Sequence, residues 1–278
     1  MNYIISYASG GLGNRLLPLA SCIELSKSLG RNVGIVWNST NRCEGEFNSL
    51  FDNKISFDLK SLLNVNPSEI SIYTNESYLL HDYNLNKNPD LHDLYLKVGV
   101  TELNLINKIY NDNRKFIIIY DNNSFLGLSQ IYQSLKTLTP TQFILNYINN
   151  FVLENNINKS VVGVHARGTD FIDESLDIYI DSVSKIISQN VNVKIFFCSD
   201  SFEWEQKIKE KFPNNIIIRK KLDFVKKINE TSTWVNNVYT SEQSVIEGLI
   251  DIYLLSKTTF TTYNPRSTFA VCAKILSQ

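Results

Sequence analysis

The chain has 278 residues, of which 43% are hydrophobic and 20% charged, and its formal net charge is -1. This composition is typical of a globular protein with one large or two ordinary domains, and the near-zero charge argues against nucleic acid as a partner. The N-terminus does not resemble a signal peptide and no apolar run approaches the roughly 18–20 residues of a membrane span, so we expect a cytoplasmic protein with no transmembrane segment, at most peripherally associated with the inner membrane face.

The first half of the chain begins with a strand, a glycine-rich turn and a helix whose apolar residues recur at helical spacing. A second strand completes this unit, a long polar stretch over 38–115 gives no clear pattern, and Pro140 introduces a helix that we interpret as a connector. The predicted elements are strands at 3–6, 32–37 and 116–120 and helices at 14–29 and 141–154.

The second half alternates regularly between apolar strands and amphipathic helices. The predicted strands are 161–165, 193–198, 216–218 and 259–262, and the predicted helices are 176–188, 202–212, 242–255 and 268–276. Such alternation predicts a parallel sheet with right-handed crossovers. We therefore predict an α/β fold with two α/β domains, residues 1–140 and 159–278, joined by a connecting helix at 141–158.

Polar residues directly follow the buried strand at 161–165. The strand ends in His165, and Arg167 and Asp170 come immediately after it. In parallel α/β sheets this position lies at the edge where ligands bind, and a permanently charged arginine suits a phosphate or carboxylate. The alternative is a structural ion pair between Arg167 and Asp170.

The first strand-to-helix turn is rich in glycine, with Gly10, Gly11 and Gly13 preceding Asn14. Glycine lets the backbone approach an anion, and the helix start supplies N–H groups. A dinucleotide-binding turn would need a third glycine near Leu16 and an acid after the second strand, so a dinucleotide oxidoreductase is disfavoured. The alternative interpretation is a close-packed turn without a chemical role.

Two further strand ends predict ligand contacts at the same edge of the sheet. Asp200 follows the strand at 193–198, where it either accepts hydrogen bonds from a base or ribose or caps the next helix. After the strand at 259–262, Ser267 and Thr268 open a helix whose N–H groups suit a phosphate, with simple N-capping as the alternative.

The remaining charged and metal-binding residue types give no strong signal. The basic run formed by Arg219, Lys220 and Lys221 is interpreted as a solvated face or loop. Only three histidines are present, and none has a partner at zinc-site spacing, so no metal site is expected.

Taken together, the motifs resemble those of the GDP-fucose-dependent fucosyltransferases, which include the α1,2-, α1,6- and protein O-fucosyltransferases and the bacterial nodulation enzymes. The resemblance rests on the glycine turn ending in Asn14, on His165-x-Arg167-x-x-Asp170, and on Ser267-Thr268-Phe269, which together span nearly the whole chain. It implies a GT-B-like arrangement, in which two Rossmann-like domains with parallel sheets face a central cleft and the C-terminal domain holds most of the donor nucleotide.

The resemblance also implies roles for single residues. Arg167 would bind the donor diphosphate and Asp170 would support its loop, while His165 would lie beside the nucleotide. Asp200 would read the guanine or ribose, and Asn14 would face the donor across the cleft. The donor site implied in full comprises Gly11, Gly13, Asn14, Arg15, His165, Arg167, Asp170, Asp200, Arg266, Ser267, Thr268 and Phe269.

Two positions depart from the pattern of the resemblance. The α1,2 and α1,6 enzymes usually carry a second arginine where this chain has Gly168, and many relatives have glutamine where it has Arg15. We expect Arg15 or Arg266 to supply the missing positive charge.

The activity implied by the resemblance is inverting, metal-independent transfer of fucose from GDP-fucose to a glycan hydroxyl, with no cofactor. The chain contains no Asp-x-Asp pair of the kind that metal-dependent glycosyltransferases use. Asp173 or Glu174 is the candidate base, although either would also suit the start of a helix. Trp234 and Tyr239 are the candidate acceptor contacts. A donor such as GDP-mannose, or a catalytically silent nucleotide- or glycan-binding protein, remains the alternative.

Overall fold

The computed structural model describes residues 1–40, 42–74, 89–102, 106–169, 175–227, 238–262, 264 and 266–278. These residues form two compact units. Unit 1 comprises Met1–Gly10, Asn14–Asn38 and Asn53–Leu138, and unit 2 comprises Gly11–Gly13, Ser39–Asp52 and Thr139–Gln278.

The units differ from the consecutive segments predicted from the sequence, because two short N-terminal segments group with the C-terminal half. Backbone hydrogen bonds show why: Thr141 N–H donates to Leu50 at 2.9 Å and Asp52 N–H donates to Thr139 at 2.9 Å. The segment at 39–52 is therefore tied to the residues that begin unit 2.

Each element predicted from the sequence is present, with bounds close to the predicted ones, and the structure adds elements that were not predicted. The strands are β1 Tyr3–Ala8, β2 Asn32–Trp37, β3 Ile70–Thr74, β4 Thr101–Glu102, β5 Phe116–Asp121, β6 Val162–Ala166, β7 Ile195–Ser199, β8 Ile216–Ile217, β9 Lys226–Lys227, β10 Val238–Tyr239 and β11 Thr259–Thr262. The helices are α1 Leu12–Leu29, α2 Phe47–Leu50, α3 Pro89–Val98, α4 Ile106–Tyr110, α5 Leu128–Lys136, α6 Gln142–Asn155, α7 Leu176–Gln189, α8 Phe202–Lys211, α9 Glu242–Lys257 and α10 Thr268–Leu276.

Unit 1 is built on a parallel sheet with strand order β2-β1-β5-β3-β4. Its central strands carry runs of isoleucine that are buried on both faces, as expected where helices cover a parallel sheet. Ile5 and Ile118 pack with one apolar cluster, and Ile4 and Ile117 with another.

Unit 2 is built on a second parallel sheet, with strand order β11-β6-β7-β8. One face of this sheet packs Val164 and Phe197 against Tyr179 and Val183 of α7. On the other face, a Cβ added to Gly163 would lie 2.2 Å from the Thr258 hydroxyl, so α9 and the residue after it approach the strand closely.

The prediction of an α/β fold with parallel sheets is confirmed. The polar stretch at 38–115 contains α2, β3, α3, β4 and α4, which were not predicted from the sequence, and neither was α5. A short antiparallel pair, β9 with β10, was not predicted either. Among the residues that the structure describes, no helix combines the length and apolar character needed to cross a membrane.

Candidate functional site

The carboxyl ends of β6 and β7 lie side by side in unit 2. The two strands are parallel, and their register pairs His165 with Cys198 and Ala166 with Ser199. The residues that follow, Arg167 and Asp200, therefore leave the sheet at the same edge. This carboxyl edge is where open α/β sheets bind ligands.

Asp200 fixes the loop that follows β6. Its carboxylate accepts hydrogen bonds from the Gly168 N–H at 2.6 Å and from the Thr169 hydroxyl at 2.5 Å. The helix-capping alternative does not apply to Asp200, because Ser201 is the N-cap of α8 and accepts from the Trp204 N–H. Asp200 thus supports the strand-end loop, the role that the resemblance implied for Asp170.

Arg167 is paired with Asp200 but stays accessible. Its Nε lies 3.6 Å from Asp200 Oδ2, and the arginine side chain is 26% exposed. A guanidinium carries five N–H donors, so contact with one carboxylate is compatible with a further contact to a phosphate. The structure therefore places a reachable, oriented cation at the carboxyl edge.

Gly168 has no room for a side chain. A Cβ there would lie 2.8 Å from the Ser201 Cβ and 2.9 Å from Cδ2 of the Trp204 indole. Contacts this short are essentially forbidden between carbon atoms, so the indole occupies the space that a second arginine would need. Trp204 also packs on Tyr179, with ring centroids 5.9 Å apart.

His165 is a buried, neutral imidazole. Burial lowers its pKa to about 3, and the neighbouring Arg167 acts in the same direction. The ring stacks on Phe269 with centroids 4.6 Å apart. Its Nδ1 is buried and has no hydrogen-bond partner among the described residues.

The start of α10 is shaped by its own side chains. Ser267 is buried and caps the helix by accepting from the Ala270 N–H at 3.5 Å, which is the capping role given as the alternative. Asn264 accepts from the Arg266 N–H at 2.8 Å. Arg266 is exposed and Thr268 is half-buried, so a ligand at this helix start would meet these two residues first.

The glycine turn packs directly on the start of α10. A Cβ on Gly13 would lie 2.5 Å from the Phe269 nitrogen and 2.8 Å from the Thr268 carbonyl oxygen. Close packing therefore explains why Gly13 is a glycine. Gly11 is half-buried in the same turn.

Asn14 and Arg15 hold the turns of unit 1. The Asn14 amide donates to the Asn122 carbonyl at 2.9 Å, which ties the turn after β1 to the residue after β5. Arg15 is fully buried, and its guanidinium donates to the carbonyls of Gly10 at 2.9 Å and Asn38 at 2.6 Å. The expectation that Arg15 supplies positive charge to a diphosphate is therefore corrected, because a ligand in solvent does not reach it.

Several other predicted residues lie elsewhere or outside the described part. Tyr239 is half-buried, and its hydroxyl donates to the Glu44 carboxylate. The residues predicted as loop support, base and acceptor contact that lie outside the described residues are Asp170, Asp173, Glu174 and Trp234. No group of three or more His, Cys, Asp or Glu side chains in the described ranges is placed to hold a metal ion.

The chain is similar over almost its whole length to several solved fucosyltransferases. The fucosyltransferase NodZ from Bradyrhizobium is 17% identical with a TM-score of 0.67, and the match covers 99% of this chain and 92% of NodZ. POFUT1 in complex with GDP-fucose is 13% identical with a TM-score of 0.59, covering 99% and 93%. Arabidopsis thaliana FUT1, as a mutant in complex with GDP, is 14% identical with a TM-score of 0.62, covering 99% and 68%.

The chain has the fucosyltransferase fold. No family model matches the sequence, and no curated protein matches it significantly, so the similarity lies in the fold and not in overall sequence identity. The fold that the resemblance implied is the fold of these solved structures.

The fucosyltransferase fold of this chain contains a buried charge cluster that the sequence did not predict. Arg219 and Lys221, interpreted from the sequence as part of a solvated face, are buried, and only Lys220 between them is exposed. Their partners are carboxylates on two helices, Glu205 of α8 and Asp251 of α9 among them. The correction has a simple cause: the neutralising acids are distant in sequence.

Proposed function

We propose that this chain is an inverting, metal-independent glycosyltransferase that moves fucose from GDP-fucose to a hydroxyl of a glycan. The observation that carries the proposal is the accessible Arg167 at the carboxyl end of β6. It lies in a fold shared with fucosyltransferases, one of which was solved with GDP-fucose and another after soaking with it. An arginine at that edge is suited to a nucleotide diphosphate.

Charge stabilisation of the leaving group is the chemistry that these residues would supply. As the bond between fucose and GDP breaks, negative charge grows on the diphosphate, and Arg167 would stabilise it. Arg266, which is exposed and lies just before α10, would be a second cation for the diphosphate. A charged hydrogen bond of this kind contributes about 1.5–3 kcal/mol, or roughly ten- to a hundredfold in rate if it forms only in the transition state.

His165 would be an uncharged group beside the donor nucleotide. Because burial keeps its pKa near 3, the imidazole carries no charge at neutral pH and does not serve as a cation for the diphosphate. A carboxylate, Asp173 or Glu174, remains our proposal for the base that deprotonates the acceptor hydroxyl. The sugar centre would become oxocarbenium-like in the transition state.

The donor is tested by isothermal titration of the purified chain with GDP, UDP and ADP, and by incubation with GDP-fucose or GDP-mannose and an oligosaccharide panel. We expect GDP to bind, and GDP-fucose to give a product whose new linkage is of the inverted anomer by NMR. Both should persist in excess EDTA. Transfer from GDP-mannose alone, or a requirement for a divalent cation, would contradict the proposal.

The same incubation distinguishes a glycosyltransferase from a catalytically silent binding protein. Such a protein would bind GDP and yet release neither free fucose nor a glycosylated product from GDP-fucose. Arg167→Ala serves as the matched inactive control.

A further inference from the structure

The edge strand β8 is shorter than its neighbour β7. Only Ile195 and Phe196 of β7 have register partners in β8, namely Ile216 and Ile217. Alternate residues of a parallel strand direct their peptide groups to the same neighbour. Since the Ile195 N–H donates towards β8, to the Asn215 carbonyl, the peptide groups of Ser199 also face this side, beyond the end of β8.

Two side chains supply the hydrogen bonds that a longer β8 would make with Ser199. The Ser199 N–H donates to Glu205 Oε1 at 2.9 Å, and the Ser199 carbonyl accepts from Lys221 Nζ at 2.6 Å. Lys221 and Glu205 also contact each other at 2.5 Å. Both backbone groups at the end of β7 are thus held by one buried ion pair.

This ion pair is anchored to α9 through a larger cluster. Lys221 contacts Asp251 at 2.9 Å, and Arg219 contacts Asp251 at 2.6 Å and also binds Glu247. Two cations therefore face three carboxylates, all of them buried. Breaking such a cluster by removing one partner leaves an uncompensated buried charge, so its members hold one another in place.

Ser199 immediately precedes Asp200, whose carboxylate holds the loop of Arg167. We infer that Glu205 and Lys221 are positioning residues that orient Arg167 by fixing the Ser199–Asp200 backbone. They act through Asp200 and do not touch the donor. The geometric part of this inference is independent of the proposed function, which enters only in the choice of GDP as the ligand.

The test uses a variant that removes the Glu205–Lys221 ion pair and leaves the net charge of the cluster unchanged. Above pH 7, where Glu205 is ionised, Glu205→Gln with Lys221→Met removes one negative and one positive charge and keeps the side-chain sizes close. Replacing a buried ion pair by neutral residues of similar volume is often tolerated, so we expect cooperative unfolding to be retained. The matched control is Glu210→Gln with Lys220→Met, which makes the same charge change at exposed positions of the same two segments.

The first readout needs no ligand. The Nε–H signal of Arg167 in a proton–nitrogen NMR spectrum is assigned by its loss in Arg167→Ala. We expect this signal to shift in the Glu205→Gln/Lys221→Met variant and to stay in place in the control. An unshifted Arg167 signal in a folded variant would overturn the inference.

The second readout is the dissociation constant of GDP in a double-mutant cycle. We expect the pair variant to bind GDP about tenfold more weakly than the wild type, and to cause no further loss in the Arg167→Ala background, as expected when one residue acts through another. Equal losses in both backgrounds would assign the pair a general structural role instead. If the wild type binds no GDP, the proposed function fails, and the NMR readout still decides the inference.

Discussion

At the residue scale, one carboxylate decides how the arginine of the site is presented. Asp200 accepts from the Gly168 N–H and the Thr169 hydroxyl, so it is held by the same loop that carries Arg167. The Arg167 contact, at 3.6 Å, is the longest of the three. Asp200 therefore contacts the guanidinium at a distance at which an ion pair is weak.

Arg167→Lys should not replace the arginine. Lysine keeps the charge but loses the planar fork that binds a phosphate through two N–H groups. We expect GDP to bind at least about tenfold more weakly to both Arg167→Lys and Arg167→Ala, which corresponds to the loss of one charged hydrogen bond. Titration calorimetry measures this, with Lys220→Arg as the control at an exposed position.

Because Arg167 is partly exposed, its substitution should leave the unfolding midpoint within a degree or two of the wild type, measured by circular dichroism. Near-normal GDP affinity in Arg167→Ala would remove the central argument of the proposed function.

Gly168 gives a prediction about stability. A Cβ at this position would lie 2.9 Å from the Trp204 ring, so Gly168→Ala overpacks the loop against α8. We expect the free energy of unfolding, measured by urea denaturation, to fall by about 1–3 kcal/mol. The absence of the second arginine that the resemblance led us to expect has the same steric cause.

The control for this prediction is Gly248→Ala in α9. A Cβ there would meet its nearest neighbours at 3.5 and 3.7 Å, which are ordinary contacts. Alanine also suits a helix better than glycine, so this variant should be as stable as the wild type or more so. Equal effects of the two substitutions would show that Gly168 is not confined by Trp204.

At the scale of elements, the buried cluster compensates for a strand that ends early. Three carboxylates share two cations, so burial favours a proton on one of them. Burial raises the pKa of Glu205 to about 7, whereas the contacts with Arg219 and Lys221 hold the pKa of Asp251 below its ordinary value despite burial. The fold therefore contains a carboxyl group that titrates near neutral pH.

Glu205 should make the stability of the chain depend on pH. Between its ordinary pKa of 4.5 and the folded value of about 7, the folded chain binds a proton that the unfolded chain has released. This stabilisation is complete below about pH 4.5 and is lost as the pH rises through 7, with a slope of at most about 1.4 kcal/mol per pH unit. Urea denaturation of the wild type and Glu205→Gln measures the difference.

His165 changes the pH dependence of stability in the opposite direction, so the wild type has to be compared with a variant. Burial lowers its pKa from 6.5 to about 3, so its contribution to stability is lost as the pH falls from 6.5 towards 3. The two effects partly cancel in the wild type, and the difference from Glu205→Gln isolates the glutamate. Parallel pH profiles of these two proteins would contradict the prediction. Glu210→Gln, an exposed substitution on α8, is the control.

At the scale of the whole molecule, much of the fold could be predicted from the sequence. The strand β2, Asn32–Trp37, and the helix α10, Thr268–Leu276, have the bounds that their apolar patterns predicted. Buried parallel strands and amphipathic helices can be recognised from the spacing of their apolar residues and from the residue types at their ends. Most of the elements described in the polar stretch at 38–115, such as β4 and α4, are too short to show a period in the sequence.

The candidate site was predictable only in part, because burial depends on partners that are distant in sequence. The strand-end position of Arg167 follows from local pattern alone. The burial of Arg15 and Arg219 does not, since their partners, such as the Asn38 carbonyl and Asp251, are 23 and 32 residues away. A charged residue is assigned to the surface by default, and only the fold reveals the groups that neutralise it.

Unit 2 includes a segment from the N-terminal half of the sequence, and this predicts which fragments of the chain fold by themselves. Unit 2 includes Ser39–Asp52, whose Phe47 and Phe51 are buried and whose backbone pairs with residues 139–141. A fragment of residues 139–278 alone would lack this segment and expose the apolar surface that it covers. We expect the fragment to unfold without a cooperative transition in urea.

Restoring the segment should restore the transition. A fragment in which residues 39–52 precede 139–278 through a flexible glycine–serine linker regains the covering segment, and we expect cooperative unfolding monitored by circular dichroism. A linked segment with Phe47→Ser and Phe51→Ser is the matched control, because it supplies the backbone without the buried rings. Cooperative unfolding of residues 139–278 by themselves would show that the segment at 39–52 is dispensable, and that the boundary near residue 140, as predicted from the sequence, is the one at which the chain divides.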